Sequence, residues 1–224
     1  EILIGLVGSE MCIRDSGTPE QAFDSSEVFT NALAAKENMR TESFAQKLCV
    51  SSKGNVDCIK NAQLEEGQKG LLFSLSNHKV LYANGIYDKV YPASITKIMT
   101  AMLALQSGKL NDTVTITQDN VTLEDGSQVC GFVAGDQVTL DQLLHCLLVY
   151  SGNDAASAIA EYVGGSTENF VQMMNDYAAK LGCTGTHFTN PHGLQDENHY
   201  TTPYDIYLML KEALKYPEFT EITQ

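Results

Sequence analysis

Three residues after Ser94, in the stretch YPASITKIM, comes Lys97, inside a run of strong helix formers. A serine hydroxyl attacks a carbonyl only when a base takes its proton. On a helix, positions i and i+3 share a face with Cβ atoms roughly 5–6 Å apart, so Lys97 can reach back to the Ser94 hydroxyl. Burial strips solvation from an ammonium and lowers its pKa, which lets a neutral Lys97 act as that base. Pro92 helps fix the turn before the helix, and the helix N-terminus offers the Ser94 amide to a developing oxyanion. The competing reading is a serine that merely begins a buried helix. The chain has 15 serines and 12 lysines in 224 positions, and chance alone gives about 0.8 Ser-x-x-Lys matches. A second match, Ser76 to Lys79, falls on a strand-and-turn pattern whose period of two does not stack the side chains. Context therefore selects Ser94.

The second constellation is Ser151-Gly152-Asn153 in YSGNDAA, 57 residues beyond Ser94. It reads as a tight turn between one helix ending at Tyr150 and another beginning at Asp154. Such a turn can aim a hydroxyl and an amide at a cleft, the hydroxyl relaying a proton and the amide holding a peptide. The plain alternative is an ordinary polar loop with Asn153 as a helix N-cap.

The elements that must position these residues are legible in outline. LLFSLS, then Asn77-His78, then KVLYAN reads as two strands joined by a tight turn. From Ser94 to Gly108, Ile95, Ile98, Met99, Met102 and Leu105 recur at three and four, predicting a helix apolar nearly all round and hence buried. DTVTITQ is a short strand, and DGSQVCGFVAGDQV is loop and turn. Helices follow through LDQLLHCLLVY, from Asp154 to Val163, and from Ser166 to Leu181 with a stop at Gly182. A last helix opens on Thr202 as N-cap, Pro203 in the first position and Asp205 at the positive end of the dipole.

Composition narrows the function classes. The formal charge of −14 repels phosphate backbones, so nucleic acid is not an expected partner. No stretch approaches the ~20 apolar residues that span a bilayer. The six cysteines contain no C-x-x-C pair, which argues against a zinc ribbon or thioredoxin-type site. Cys49 and Cys58 flank a turn-rich loop that a disulfide could close in an exported protein, and the pairing of Cys130, Cys146 and Cys183 stays open. Residues 1–16 resemble a translated sequencing adapter and are set aside. Residues 17–66 read as a polar, helix-leaning extension, and residues 67–224 as the domain that carries the motifs.

Ser94-x-x-Lys97, Ser151-Gly152-Asn153, NPHGL at 190–194 and YTTPYDI at 200–206 together resemble the serine D-alanyl-D-alanine carboxypeptidases, the low-molecular-mass penicillin-binding proteins. The resemblance covers residues 70–224. It implies an α/β fold of the β-lactamase/transpeptidase type: a three-layer α/β/α sandwich with an antiparallel sheet, plus a helical subdomain at roughly 110–200. It also implies an extracytoplasmic enzyme that needs no cofactor or metal. Such an enzyme removes the terminal D-alanine of peptidoglycan stem peptides through an acyl-enzyme on Ser94 and binds β-lactams. Lys97 would be the base, Ser151 the relay to the leaving amine, and Asn153 with Gly152 the substrate anchor. The family's third motif, Lys-Thr-Gly, is absent from the sequence, since CTGT at 183–186 lacks the lysine and lies too early. The expectation is a chain truncated before that strand and inactive without it, with membrane association through missing segments. The apolar Ser94 helix would then be left uncovered and residues 17–224 loosely packed.

Three rivals are weighed against this. His187, His192 and His199 with Asp196 and Glu197 suggest a metal cluster, but their spacings straddle Pro191 and Gly193 and match no metal-helix pattern. A class A β-lactamase would have Ser-Asp-Asn followed by a deacylating Glu, whereas Gly152 stands in the middle here. For a non-catalytic wall-binding scaffold of the same fold, the presence of Ser94, Lys97, Ser151 and Asn153 argues against and the missing Lys-Thr-Gly argues in favour.

Overall fold

Four of the described helices begin where a side chain satisfies an orphaned amide of the first turn. In the computed structural model, which describes residues 48–51, 55–57, 67–76, 78–124 and 126–224, Thr139 and Gln142 form a reciprocal capping box. Ser166 accepts from the Asn169 amide, and Thr202 from the Asp205 amide with Pro203 next in line. Residues 1–47 and Cys58, which include the adapter-like segment, most of the extension and one half of the Cys49–Cys58 pairing, lie outside the described residues.

The chain divides into two units, residues 1–52 with 73–80 and residues 53–72 with 81–224. In the first, Cys49 is buried and its thiol donates to the Ser74 carbonyl at 3.5 Å. Ser76 and Lys79, the discounted second match, are both exposed, and the Ser76 hydroxyl pairs with that of Ser74 at 3.1 Å.

Three strands, β1 (Val56–Asp57), β2 (Gly70–Ser74) and β3 (Lys79–Asn84), form a sheet in the order β1-β3-β2. β1 runs antiparallel to β3, with Val56 opposite Ala83. It falls inside the segment expected to be an extension. Two residues carry too little pattern to announce a strand; pairing with β3 makes them one.

The second unit holds the helices. A 3₁₀ turn, Ala93–Thr96, leads into α1 (Lys97–Gln106). β4 (Thr113–Thr115), α2 (Gln118–Val121) and β5 (Gln137–Thr139) follow, with β4 and β5 antiparallel. Then come α3 (Leu140–Val149), α4 (Asn153–Gly164), α5 (Thr167–Leu181), α6 (Pro203–Ala213) and α7 (Pro217–Thr223). The expected helix from Ser94 thus starts as a tighter 3₁₀ turn, and α2 and α7 are additions the periodicity did not show.

α1 packs against α3, α4, α5 and α6, and Met99, Ala101, Met102 and Ala104 have no solvent exposure. This corrects the expectation of an uncovered helix: four neighbouring helices already enclose it. The premise for loose packing, a bare apolar α1, therefore does not hold. Leu140, Leu143, Leu144 and Leu147 of α3 lie in the same core. Leu144→Ala should lower the unfolding free energy by about 2–5 kcal/mol, read from a denaturant midpoint, because a fully buried side chain leaves a cavity the helices cannot close. A loss below ~1 kcal/mol would show that this core repacks.

Candidate active site

Backbone strain marks two places in the second unit. Ala93, immediately before Ser94, has φ of 47°, and Ser151 has φ of 61°. Left-handed backbone costs a residue with a Cβ about 1–3 kcal/mol and persists only where the surroundings over-determine it. For Ala93 they include the Ile95 amide bonded to the Pro92 carbonyl at 3.1 Å and the Gly193 backbone pressed against the Ala93 carbonyl. For Ser151 they are its next two neighbours. The Gly152 amide donates to the Cys146 carbonyl at 3.1 Å, and the Asn153 amide to the Gln128 carbonyl at 2.7 Å.

These two turns meet at Lys97. Ser94 is exposed, while Lys97 is only 3% exposed. Its Nζ reaches Ser94 Oγ at 3.2 Å, Asn153 Oδ1 at 2.7 Å and the His192 carbonyl at 2.8 Å. A buried ammonium with three acceptors has each proton satisfied, which offsets much of the cost of burying it. Burial lowers the Lys97 pKa from its usual value to about 8, against a smaller opposing influence of Cys130. Asn153 is the first residue of α4 and Gly152 its N-cap, so the N-cap reading of Asn153 is corrected: its side chain turns inward to Lys97. The Ser151 hydroxyl is half-buried on the same turn, and among the described residues it makes no hydrogen bond. Gly152 is buried, and a Cβ on it would collide with Cys130 Sγ.

The loop 190–194 is the part that residue-by-residue reasoning left without a role. Asn190 Oδ1 accepts from the amides of Gly193 at 2.7 Å and His192 at 3.3 Å, and its Nδ2 donates to the Leu194 carbonyl at 3.0 Å. The loop so folded delivers the Pro191 carbonyl to Thr100 Oγ1 at 2.6 Å and the His192 carbonyl to Lys97. Of the three histidines weighed as metal ligands, His187 Nδ1 pairs with the Asn198 carbonyl at 2.6 Å. His199 Nδ1 accepts from the Thr189 amide at 3.1 Å, so its neutral ring donates through Nε2 to Thr96 Oγ1 at 2.8 Å. His192 Nδ1 accepts from the Leu194 amide at 3.2 Å. Burial holds both His192 and His199 near pKa 4, with Lys97 adding to the effect on His192. Asp154, 1% exposed, collects the amides of Cys130, Gly131 and Ala155 at 2.9–3.0 Å and so hangs the 126–136 loop on the start of α4. The quoted NPHGL string was the signal for the first of these devices; nothing local announced the second.

Exposed apolar side chains flank the polar cluster in sequence: Ile95 beside Ser94, Val149 and Tyr150 ahead of Ser151, and Val129 beside Cys130. The arrangement can hold a serine hydroxyl against a desolvated amine, with an amide side chain alongside and an apolar rim.

A family model described as D-alanyl-D-alanine carboxypeptidase matches residues 59–224. Among curated relatives, D-alanyl-D-alanine carboxypeptidase DacF of Bacillus subtilis is 39% identical over 162 residues, 70% of this chain and 41% of the relative. The DacC enzyme of Escherichia coli is 40% identical over 154 residues, 64% and 38% of the two chains. The chain thus spans about two fifths of the length of these relatives. The crystal structure of D-alanyl-D-alanine carboxypeptidase DacD from Francisella tularensis superposes with a TM-score of 0.67 at 29% identity, covering 77% of this chain and 43% of that one. That of a D-alanyl-D-alanine carboxypeptidase from Mycobacterium tuberculosis gives 0.67 at 32% identity, covering 75% and 64%.

Proposed function

The chain belongs to the D-alanyl-D-alanine carboxypeptidase family, and from that premise we propose that the protein carrying it is a serine-type carboxypeptidase acting outside the cytoplasm. It removes the terminal D-alanine from peptidoglycan stem peptides through an acyl-enzyme on Ser94 and is acylated by β-lactams, whose strained amide mimics the scissile bond. The fold is the one shared with the solved carboxypeptidases. Among the described residues no helix is long and apolar enough to cross a membrane.

The observation that carries the reading is the three-way engagement of Lys97. When Nζ gives up one proton, the amine keeps two N–H groups, and two of its three partners, Asn153 Oδ1 and the His192 carbonyl, can only accept. The lone pair is then left facing Ser94 Oγ, the one partner that can donate. With a pKa of about 8, about a tenth of the lysine is neutral at pH 7, enough for a general base near working pH. Ser94 Oγ attacks the carbonyl as its proton passes to Nζ, and a tetrahedral oxyanion forms at the N-terminus of the 3₁₀ turn. Ser151, on its strained turn, relays the proton to the departing D-alanine amine. Asn153 Oδ1 accepts from Lys97 Nζ, and its Nδ2 donates to a backbone carbonyl of the peptide. Water then hydrolyses the ester, with Lys97 again as base.

The test is acylation by a fluorescent penicillin as a function of pH, with the adduct mapped by mass spectrometry of a digest. A base must be deprotonated to act, so the rate should climb as pH rises through about 8 and level off above, with the adduct on Ser94. An adduct on another residue, or a rate that falls across that interval, would overturn the assignment.

A further inference from the structure

Two cysteines come together behind the turn that carries Ser151 and Asn153. Cys130 lies on the 126–136 loop and Cys146 in the last turn of α3, with fifteen residues between them. The Cys130 thiol donates to the Cys146 carbonyl at 3.7 Å, which brings the two cysteines side by side. Both ends of the approach are fixed by other groups. The Cys130 amide is held by the Asp154 carboxylate at 2.9 Å, and the Cys146 carbonyl also accepts the Gly152 amide at 3.1 Å. Gly152 leaves the space that Cys130 Sγ fills. Each residue is half-buried, within reach of a small reagent.

We propose that Cys130 and Cys146 are a modification site: they join as a disulfide that ties the 126–136 loop to the end of α3 beneath Gly152. The oxidant is a low-molecular-mass disulfide of the glutathione type. One thiolate of the pair attacks it, forming a mixed disulfide and releasing one oxidant thiol. The other then displaces the second oxidant thiol and closes the bridge. Two cysteine thiols are oxidised, one oxidant disulfide is reduced to two thiols, and the two thiol protons pass to the leaving thiolates. Burial, with Cys146 and Asp154 alongside, pushes the Cys130 thiol up to about 12. The Cys130 thiol therefore stays protonated near neutral pH. Among the described residues Cys183 has no such cysteine neighbour: it is buried, and its thiol donates to the Asp205 carbonyl at 3.7 Å.

The experiment is overnight incubation of the protein carrying this sequence with oxidised glutathione, then alkylation with iodoacetamide, digestion and mass spectrometry. The expected product is a Cys130–Cys146 cross-linked peptide pair, released by dithiothreitol. The thermal midpoint should rise by about 5 °C on oxidation, because closing a fifteen-residue loop removes freedom mainly from the unfolded chain. Cys146→Ser and Cys130→Ser should each abolish both the cross-link and the rise. Alkylation of both cysteines in a chain that circular dichroism shows to be folded would overturn the proposal, as would Cys130 bonded to any other cysteine. None of these readouts involves penicillin, so failure here and failure of the carboxypeptidase reading are separate results.

Discussion

Lys97→Ala in the protein carrying this sequence should slow acylation by a fluorescent penicillin by about 10³-fold, since the substitution removes the general base and leaves the nucleophile in place. Ser94→Ala sets the zero of the assay. The expected signature is loss of the covalent step with little loss of fold. Lys97 is buried at 3% exposure, and burial disfavours its charged form, so deleting the amine relieves a desolvated cation even as it strands two acceptors. Lys97→Met, which keeps the stem of the side chain, separates chemistry from packing. It should match Lys97→Ala in acylation and the parent in thermal midpoint. Acylation of either variant within tenfold of the parent would remove Lys97 from the base's role and leave it a structural cation between α1 and the 190–194 loop.

Gly193→Ala is expected to cost about 100-fold in the same assay, although Gly193 has no side chain to offer chemistry. The residue has φ of 92°, and a Cβ on it would run into the Ala93 carbonyl, one residue before the nucleophile. Relief requires the loop to withdraw, and the loop also supplies the His192 carbonyl to Lys97 and the Pro191 carbonyl to Thr100. A shift near 1 Å in the Ser94–Lys97 pair is enough for a loss of that size. The unfavourable φ adds about 1–3 kcal/mol of destabilisation, measurable in a denaturant titration. Normal acylation with only the stability loss would mean that the loop holds the fold without positioning the pair.

The helix boundaries are readable because capping is local: Thr139 and Gln142, or Thr202, Pro203 and Asp205, sit within one turn of each other. Ser94 and Lys97 are readable as neighbours for the same reason, three residues on one helical face. The first turn was less legible. Ala93 takes a left-handed conformation that its residue type disfavours, and the distant Gly193 helps hold it there.

The sequence by itself determined that α1 is buried, that a serine and a lysine stand three residues apart where it begins, and that a Ser-Gly-Asn turn joins two later helices. Tertiary structure alone decided that Asn153 faces Lys97 instead of capping α4, across 56 positions of sequence, and that a main-chain carbonyl 95 positions away completes the lysine's shell. It also decided that Cys130 fills the space left by Gly152 and lies against Cys146. The physical reason is one of range. Periodicity and caps are interactions within a turn or two and are written in residue order. A carbonyl oxygen has no residue type, so which one reaches a buried amine is settled only when the α1 core and the 190–194 loop pack together.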